Sequence, residues 1–300
     1  MARHYAVLDV FTDRPLAGNQ LAVVLDAEGL DTAAMMAITA EFNLAETVFV
    51  LSAERPAHRA RLRIFAPGRE LPFAGHPTVG TAVLLALEDA GETDGDLDAM
   101  LMLEENIGSI RCAVALKGRQ RGHAIFDAPV VAKPAPQPLD GGAVAAALGL
   151  MPSEIGFENH LISAFTGGVP YVFVPVRDLA AIRRLAPRSD LWQAAFGGTS
   201  VYAYCRETES NAHHFHARML WQTLGFVEDP ATGSAAAAFA GAVATFDRPT
   251  SGTHRVIIEQ GFEMGRPSLI MLELDTEGGQ LIATRIGGDA VVVARGVLQI

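Results

Sequence analysis

Residues 75–87 read Gly-His-Pro-Thr-Val-Gly-Thr-Ala-Val-Leu-Leu-Ala-Leu, and residues 233–246 read Gly-Ser-Ala-Ala-Ala-Ala-Phe-Ala-Gly-Ala-Val-Ala-Thr-Phe. Each stretch begins with a glycine and a polar residue and continues as a helical run without a charged face. A helix that is apolar on all sides must be enclosed by protein. We therefore predict that each stretch forms a central helix running through the middle of a wrapped sheet.

Short apolar runs rich in Val, Ile and Phe lie on both sides of these stretches and are typical of strands. Helical patterns are fewer, and the clearest one runs from Thr32 to Phe42 with Asp31 as its N-cap. A regular alternation of strands and helices is therefore disfavoured. The predicted class is α+β, with two similar domains that each wrap a mixed, mostly antiparallel sheet around a central helix.

The chain has 300 residues, 50% of them hydrophobic, which favours two domains of ordinary size. A Pro-rich connector, residues 130–142, can continue neither a helix nor a central strand. The run from His123 to Phe126 just before it resembles the first strand of a second half. We therefore predict one domain at residues 1–120, with a C-terminal return strand at about 293–300, and a second domain at 121–292.

Composition excludes several classes of partner. The formal net charge is −11, so no basic surplus exists to bind nucleic acid. The longest uncharged stretches, 71–87 and 230–246, are shorter than the roughly 20 apolar residues that span a membrane. Cys112 and Cys205 each stand alone, which argues against disulfides or a zinc knuckle. With no signal-peptide core at the N-terminus, we expect a cytoplasmic protein.

The starts of the two central helices are candidate anion sites. The first turn of a helix leaves N–H groups without partners, and the helix dipole adds positive potential there. Gly75 and Gly233 would let a ligand approach this backbone closely. Either motif alone could be ordinary capping chemistry, but their matched placement before two uncharged helices favours a small carboxylate-bearing ligand.

Other chemistries find little support. The sequence contains no dinucleotide-binding or P-loop glycine motif, no metalloprotease motif and no nucleophile elbow. His213, His214 and His216 could suggest a metal site, but no carboxylate or thiol lies at a recognisable ligand spacing. We therefore predict no metal and no cofactor. Glu46, at the start of an apolar strand, would by itself be an ordinary surface glutamate.

Five ordered motifs resemble the PhzF-like isomerase family of phenazine biosynthesis. They are residues 11–19 with 21–24, residues 43–49, residues 71–78, residues 228–235, and Gln260-Gly261 with residues 265–268. The resemblance covers nearly the whole chain. It implies a diaminopimelate-epimerase-like fold, with the active site in the cleft between the two domains, and a cofactor-independent isomerisation of a double bond in a dihydroaromatic amino acid.

The resemblance also implies roles for individual residues. Glu46 would be the acid/base that shuttles the proton, and His76 and Asp229 would assist it. The predicted substrate-binding residues are Gly75, Gly233, Ser234 and Asn19. A homodimer is also expected.

Two departures from the family pattern affect the substrate more than the catalytic groups. Gln20 replaces the more usual proline after Asn19, and the segment 220–227 differs from the turn found in many relatives. Related two-base epimerases carry a thiol at each helix start, where this chain has His76 and Ser234, so thiol-based racemisation is disfavoured. Two alternatives stay open: a one-base epimerase or racemase of an amino or hydroxy acid, and a non-catalytic binding protein on the same fold.

Overall fold

The structure, a computed structural model, describes residues 2–91, 96–137, 139–222 and 226–300. The chain forms two compact units, one made of Met1–Pro129 with Gly287–Ile300 and one made of Val130–Ile286. Among the described residues, no helix is both long enough and apolar enough to cross a membrane.

The first unit wraps its strands around one helix. Its elements are β1 (Ala2–Val10), β2 (Asn19–Val24), α1 (Thr32–Phe42), β3 (Glu46–Leu51), β4 (Ala60–Ala66), β5 (Arg69–Leu71), α2 (Gly75–Ala90), β6 (Asp96–Glu105), β7 (Gly108–Lys117), β8 (Arg121–Asp127) and the end of β17 (Gln280–Gln299). The pairs β2–β3 and β4–β6 are parallel, and the pairs β17–β1, β1–β2, β3–β4, β6–β7 and β7–β8 are antiparallel. Because β8 also pairs with β17, this set of strands closes on itself.

Helix α2 is the core of this unit. Every residue from Gly75 to Leu87 is buried, and the helix contacts strands β1, β2, β3, β6, β7 and β8. Gly80 lies against side chains of two strands, since a Cβ there would be 2.7 Å from both Leu21 Cδ2 and Val10 Cγ2. The N-cap predicted for α1 is also present, because the Asp31 side chain accepts a hydrogen bond from the backbone N–H of Ala34.

The second unit contains β9 (Lys133–Pro134), α3 (Gly141–Leu148), a 3₁₀ helix (Pro152–Glu154), β10 (Ser163–Thr166), β11 (Pro170–Pro175), α4 (Leu179–Arg183), α5 (Ser189–Phe196), β12 (Ser200–Cys205), β13 (Phe215–Gln222), β14 (Phe226–Asp229), α6 (Gly233–Phe246), β15 (Gly252–Gln260), β16 (Ser268–Glu277) and the start of β17. The pairs β11–β12 and β13–β15 are parallel, and the pairs β10–β11, β12–β13, β13–β14 and β15–β16 are antiparallel.

The two units therefore repeat one strand plan. The plan begins with an antiparallel pair of strands, and one or two helices then lead to a third strand parallel to the second. A fourth strand pairs antiparallel with the third. A short strand and the buried helix follow, and the next strand pairs parallel with the fourth. The buried helix is α2 in the first unit and α6 in the second. The predicted α+β class, with a central helix in each of two similar units, is confirmed.

The boundary between the units differs from the sequence prediction. The strand predicted to open the second unit is β8, and β8 pairs with β7 of the first unit over the register from Cys112–Phe126 to Leu116–Gly122. A tight turn after Lys117 makes this hairpin local. The return strand is also longer than residues 293–300, since β17 pairs with β1 from Ala290 to Gln299.

A glycine in the middle of α6 provides a test of this packing. A Cβ at Gly241 would lie 2.4 Å from Cδ1 of the Phe165 ring on β10. Replacing glycine by alanine inside a helix usually stabilises it by roughly 0.5–1 kcal/mol. For Gly241→Ala we expect instead a loss of about 1–3 kcal/mol in the free energy of unfolding, because the ring must move. Urea denaturation measures this change.

The matched control is Gly141→Ala on α3, where the nearest atom to an added Cβ is Ile162 Cδ1 at 3.8 Å. This variant should be as stable as the parent protein or more so. Equal effects of the two substitutions would show that Phe165 does not press on α6.

Candidate active site

The first cluster of candidate residues lies where two parallel strands of the first unit begin. Asn19 is the first residue of β2, and Glu46 is the first residue of β3. Leu21 lies opposite Glu46 in the parallel register, so the starts of the two strands meet at the same edge. Asn43 directs Glu46 to this edge, since it ends α1 in the left-handed conformation with φ 49°.

His76 joins these residues from the start of α2. It is the second residue of that helix and only 4% exposed. Its Nε2 lies 3.2 Å from Glu46 Oε2, and its Nδ1 lies 3.3 Å from Asn19 Nδ2. Three predicted site residues from separate parts of the sequence thus form one group.

The imidazole of His76 is neutral in this group. Burial lowers the pKa of His76 to about 3, and a hydrogen bond with the backbone of Gln20 opposes this shift only in part. A neutral ring supplies no fixed positive charge to the carboxyl group. It can, however, donate or accept a hydrogen bond as the protonation of its neighbour changes.

The Glu46 side chain is 19% exposed, whereas that of His76 is 5% exposed. Of the two, Glu46 is therefore the group that a small molecule can reach. A carboxyl group that is partly shielded, touches a neutral imidazole and lies beside a helix N-terminus is suited to exchange a proton with a bound anion.

The second cluster belongs to the second unit. Asp229 is the last residue of β14, Thr232 is the N-cap of α6, and Gly233 and Ser234 are its first two residues. The Thr232 hydroxyl donates to Asp229 Oδ2 at 2.5 Å, which fixes one oxygen of that carboxylate. In the segment 220–227, which departs from the family pattern, Trp221 and Gln222 end β13, and residues 223–225 lie outside the described residues.

Gln260 holds this second cluster together. Its Nε2 donates to the Asp229 carbonyl at 2.7 Å and to Thr232 Oγ1 at 3.0 Å, while its Oε1 accepts from the Thr232 backbone at 3.2 Å. The next residue must be glycine, because a Cβ at Gly261 would lie 2.5 Å from the Pro230 carbonyl oxygen. The Gln260-Gly261 motif therefore serves to position Asp229 and the start of α6.

Tyr171 is a site neighbour that sequence reasoning missed. Its hydroxyl lies 2.8 Å from Ser234 Oγ at the first turn of α6. Tyr171 is the second residue of β11, an apolar strand in which a tyrosine gives no signal beyond burial. Each predicted site residue thus lies in one of two groups, Asn19, Glu46, Gly75 and His76 in the first unit and Asp229, Gly233 and Ser234 in the second.

The histidine run weighed as a metal site has another role. His216 is fully buried and contacts Glu259 through Nδ1 and Glu263 through Nε2, both at 3.0 Å. His213 Nδ1 lies 2.5 Å from Glu259. The carboxylates come from β15 and the loop after it, so no local spacing could indicate them. Each ring nitrogen of His216 thus contacts a carboxylate. We call the group formed by His213, His216, Glu259 and Glu263 the ionic lock.

A further group with metal-ligand chemistry, Glu158, His160 and Asp247, contains a cation of its own. Arg206 Nη2 lies 2.6 Å from Asp247 Oδ1 and 3.3 Å from both Glu158 Oε2 and His160 Nε2. The guanidinium occupies the position that a metal ion would need. This group is therefore an arginine-centred ion cluster.

Comparison with known proteins extends this picture. The family model described as phenazine biosynthesis-like protein, PhzC-PhzF, matches residues 8–296. An uncharacterized isomerase of Mesorhizobium japonicum is 53% identical, covering 99% of this chain and 98% of its own. The trans-2,3-dihydro-3-hydroxyanthranilate isomerase of Pseudomonas aeruginosa is 34% identical, covering 97% and 98%. A crystal structure of a PhzF-family phenazine biosynthesis protein from Bacillus anthracis is 26% identical, covers both chains completely and gives a TM-score of 0.88.

The shared fold and the relatives named as isomerases over their full length define the class of this protein, which is an isomerase. The chain belongs to the phenazine biosynthesis-like family, PhzC-PhzF. The resemblance read from the five motifs is confirmed.

Proposed function

We propose that this protein is a cofactor-independent isomerase in which Glu46 moves a proton on a small carboxylate-bearing, cyclic or unsaturated, amino-acid-like substrate. The observation that carries the proposal is the group at the start of α2, where a partly exposed Glu46 carboxyl lies 3.2 Å from a buried, neutral His76.

The substrate carboxylate would bind at a helix N-terminus. The first turns of α2 and α6 contain no acidic residue, and the first N–H groups of any helix have no intrahelical partner. Neither N-cap residue, Ala74 or Thr232, caps its helix with a side-chain hydrogen bond. An anion is therefore favoured there without any lysine or arginine.

The proposed proton transfer balances without a redox partner. Glu46 takes a proton from an activated carbon, and the electrons of that C–H bond enter a new double bond as the old one opens. The carbon released by the old double bond takes the proton back from the same carboxyl. His76 Nε2, which lies 3.2 Å from Glu46 Oε2, can donate or accept a hydrogen bond as Glu46 gains and loses the proton. The family resemblance gives Asp229, which is fixed by Thr232, an assisting role.

The substrate class rests on the relatives. A relative at 34% identity over nearly the whole chain is named for a dihydro-hydroxyanthranilate, which is a cyclic, unsaturated amino acid. That compound is the first to test, and the departures at Gln20 and in the segment 220–227 are reasons to test others.

The proposal predicts that the purified protein moves a double bond within at least one member of a panel of cyclic and unsaturated amino acids. Proton NMR follows the vinyl signals of each compound, and chiral chromatography follows its configuration. Migration of the double bond supports the isomerase. Inversion of configuration with the double bond unmoved would support the one-base epimerase, and tight binding with no chemical change would support a binding protein.

A further inference from the structure

A second carboxyl group lies at the start of α2, and no role has yet been assigned to it. Glu105 is the last residue of β6 and is 7% exposed. Its Oε1 lies 2.7 Å from the hydroxyl of Thr78 in the first turn of α2. Its Oε2 is buried and has no hydrogen-bond partner among the residues the structure describes.

Proton counting determines the state of this carboxyl group. Thr78 Oγ1 lies 2.7 Å from the Ala74 carbonyl oxygen and 2.7 Å from Glu105 Oε1, so it has two acceptors but only one proton to donate. The Ala74 carbonyl has no proton of its own. Both contacts can be separate two-centre hydrogen bonds only if the carboxyl group of Glu105 carries a proton and donates it to Thr78.

We infer that Glu105 is a protonated positioning residue, which fixes the first turn of α2 through Thr78 and leaves the start of that helix without a negative charge. An ionised carboxylate here would neutralise the positive end of the helix dipole and repel an anionic substrate. This inference rests on the proposed function for its consequence, because the substrate is taken to be an anion bound at the same helix start.

The surroundings of Glu105 agree with a neutral acid. Burial raises the pKa of Glu105 to about 8, and the contact with Thr78 opposes this shift only in part. Among the described residues, Cys112 on β7 is a titratable group that interacts with it: burial raises the pKa of the Cys112 thiol, and the Glu105 carboxyl raises it further. Glu104 points elsewhere and contacts His58 at 2.9 Å.

Infrared difference spectroscopy tests the protonation state directly. At pH 7 the wild-type protein should show a carboxylic acid band that is absent from Glu105→Gln and retained in Glu104→Gln. Glu104 is the control because backbone N–H groups lower the pKa of its carboxyl group in the wild-type protein. A spectrum without the band, or a band that survives Glu105→Gln, would overturn the inference. If Glu105→Gln does not fold, carbon-13 NMR of labelled glutamate in the wild-type protein must show one carboxyl group titrating near pH 8.

Binding of anthranilate, a cyclic amino acid with no double bond to move, tests the consequence. With a pKa of about 8, the neutral fraction of Glu105 falls about tenfold between pH 7 and pH 9, so the Kd of wild-type protein should rise about tenfold. Glu105→Gln should bind equally at both pH values. An unchanged wild-type Kd, or the same rise in the variant, would overturn the role in binding.

These readouts need no turnover, so they are separable from the proposed function. An acid band assigned to Glu105, together with no double-bond migration on any compound, would remove the proposed isomerase reaction and leave the protonated glutamate. Double-bond migration without the acid band would support the proposed isomerase reaction and overturn the protonated Glu105.

Discussion

Glu46→Gln is expected to lower kcat by about 10³-fold or more, because a glutamine can neither remove nor return a proton. The amide keeps the size of the side chain and can still contact His76, which lies 3.2 Å away. The KM should therefore change by less than about threefold. Steady-state kinetics on the substrate identified by the panel measure both numbers.

The matched control is Glu41→Gln, an exposed glutamate on α1 that is close in sequence and carries the same change in charge. It should retain the wild-type kcat. A Glu46→Gln variant with near wild-type kcat would remove Glu46 from the chemistry, and a large rise in KM at unchanged kcat would assign it to binding instead.

Glu259→Gln is expected to have the largest effect on stability. Glu259 is fully buried and accepts from His213, from His216 and from the backbone N–H groups of Glu209 and Ser210. An amide in its place would turn its NH₂ group towards these donors and leave the His216 ring with one carboxylate. We expect the free energy of unfolding to fall by about 3–5 kcal/mol, as when one partner of a buried ion pair is removed.

Chemical denaturation of the variant measures this loss. Glu277→Gln on β16 is the control, since that glutamate is exposed, and it should stay within about 0.5 kcal/mol of the wild-type protein. A loss of less than about 1 kcal/mol in Glu259→Gln would mean that the lock around His216 contributes little to folding.

The same lock gives a pH dependence of known sign. Burial opposes the charged ring, but hydrogen bonds to Glu259 and Glu263 outweigh it and raise the pKa of His216 to about 9 from an ordinary 6.5. Its contribution is thus complete below about pH 6.5 and lost as the pH rises through about 9. Burial also opposes the ionised forms of Glu259 and Glu263, yet hydrogen bonds to His216 help to lower the pKa of both carboxyl groups. The stability that these two carboxylates contribute is therefore lost as the pH falls below the ordinary pKa of a glutamate. The wild-type protein should therefore lose stability between pH 6.5 and pH 9, and Glu259→Gln should lose less.

The central helices could be predicted from the sequence because their evidence is local. A run without a charged face must be enclosed, and the uncharged run that includes Ser234 lies in α6, Gly233–Phe246. The start of α2 at Gly75 was found in the same way. The boundary between the units was misplaced because β8 gives the same strand signal in either unit, and only its pairing with β7 decides where it belongs.

The candidate site shows the same difference between features with local sequence evidence and features that depend on contacts in the folded chain. Glu46, His76 and Asp229 were proposed from motifs, and the structure adds the 3.2 Å contact between Glu46 and His76 that no spacing could give. Glu105 was missed because an acidic residue at the end of a strand usually faces solvent, and its burial against Thr78 depends on a helix that begins thirty residues earlier in the chain. The partners of His216 were missed for the same reason, since β13 and β15 meet only in the folded unit.

The most direct test of the central claim is incorporation of deuterium from heavy water into the substrate, followed by NMR with wild-type protein and with Glu46→Gln. Wild-type protein should place deuterium at one specific carbon, and incorporation with the variant should fall to the level of a protein-free sample. Equal incorporation by the two proteins would show that Glu46 does not carry the proton and would contradict the proposed mechanism.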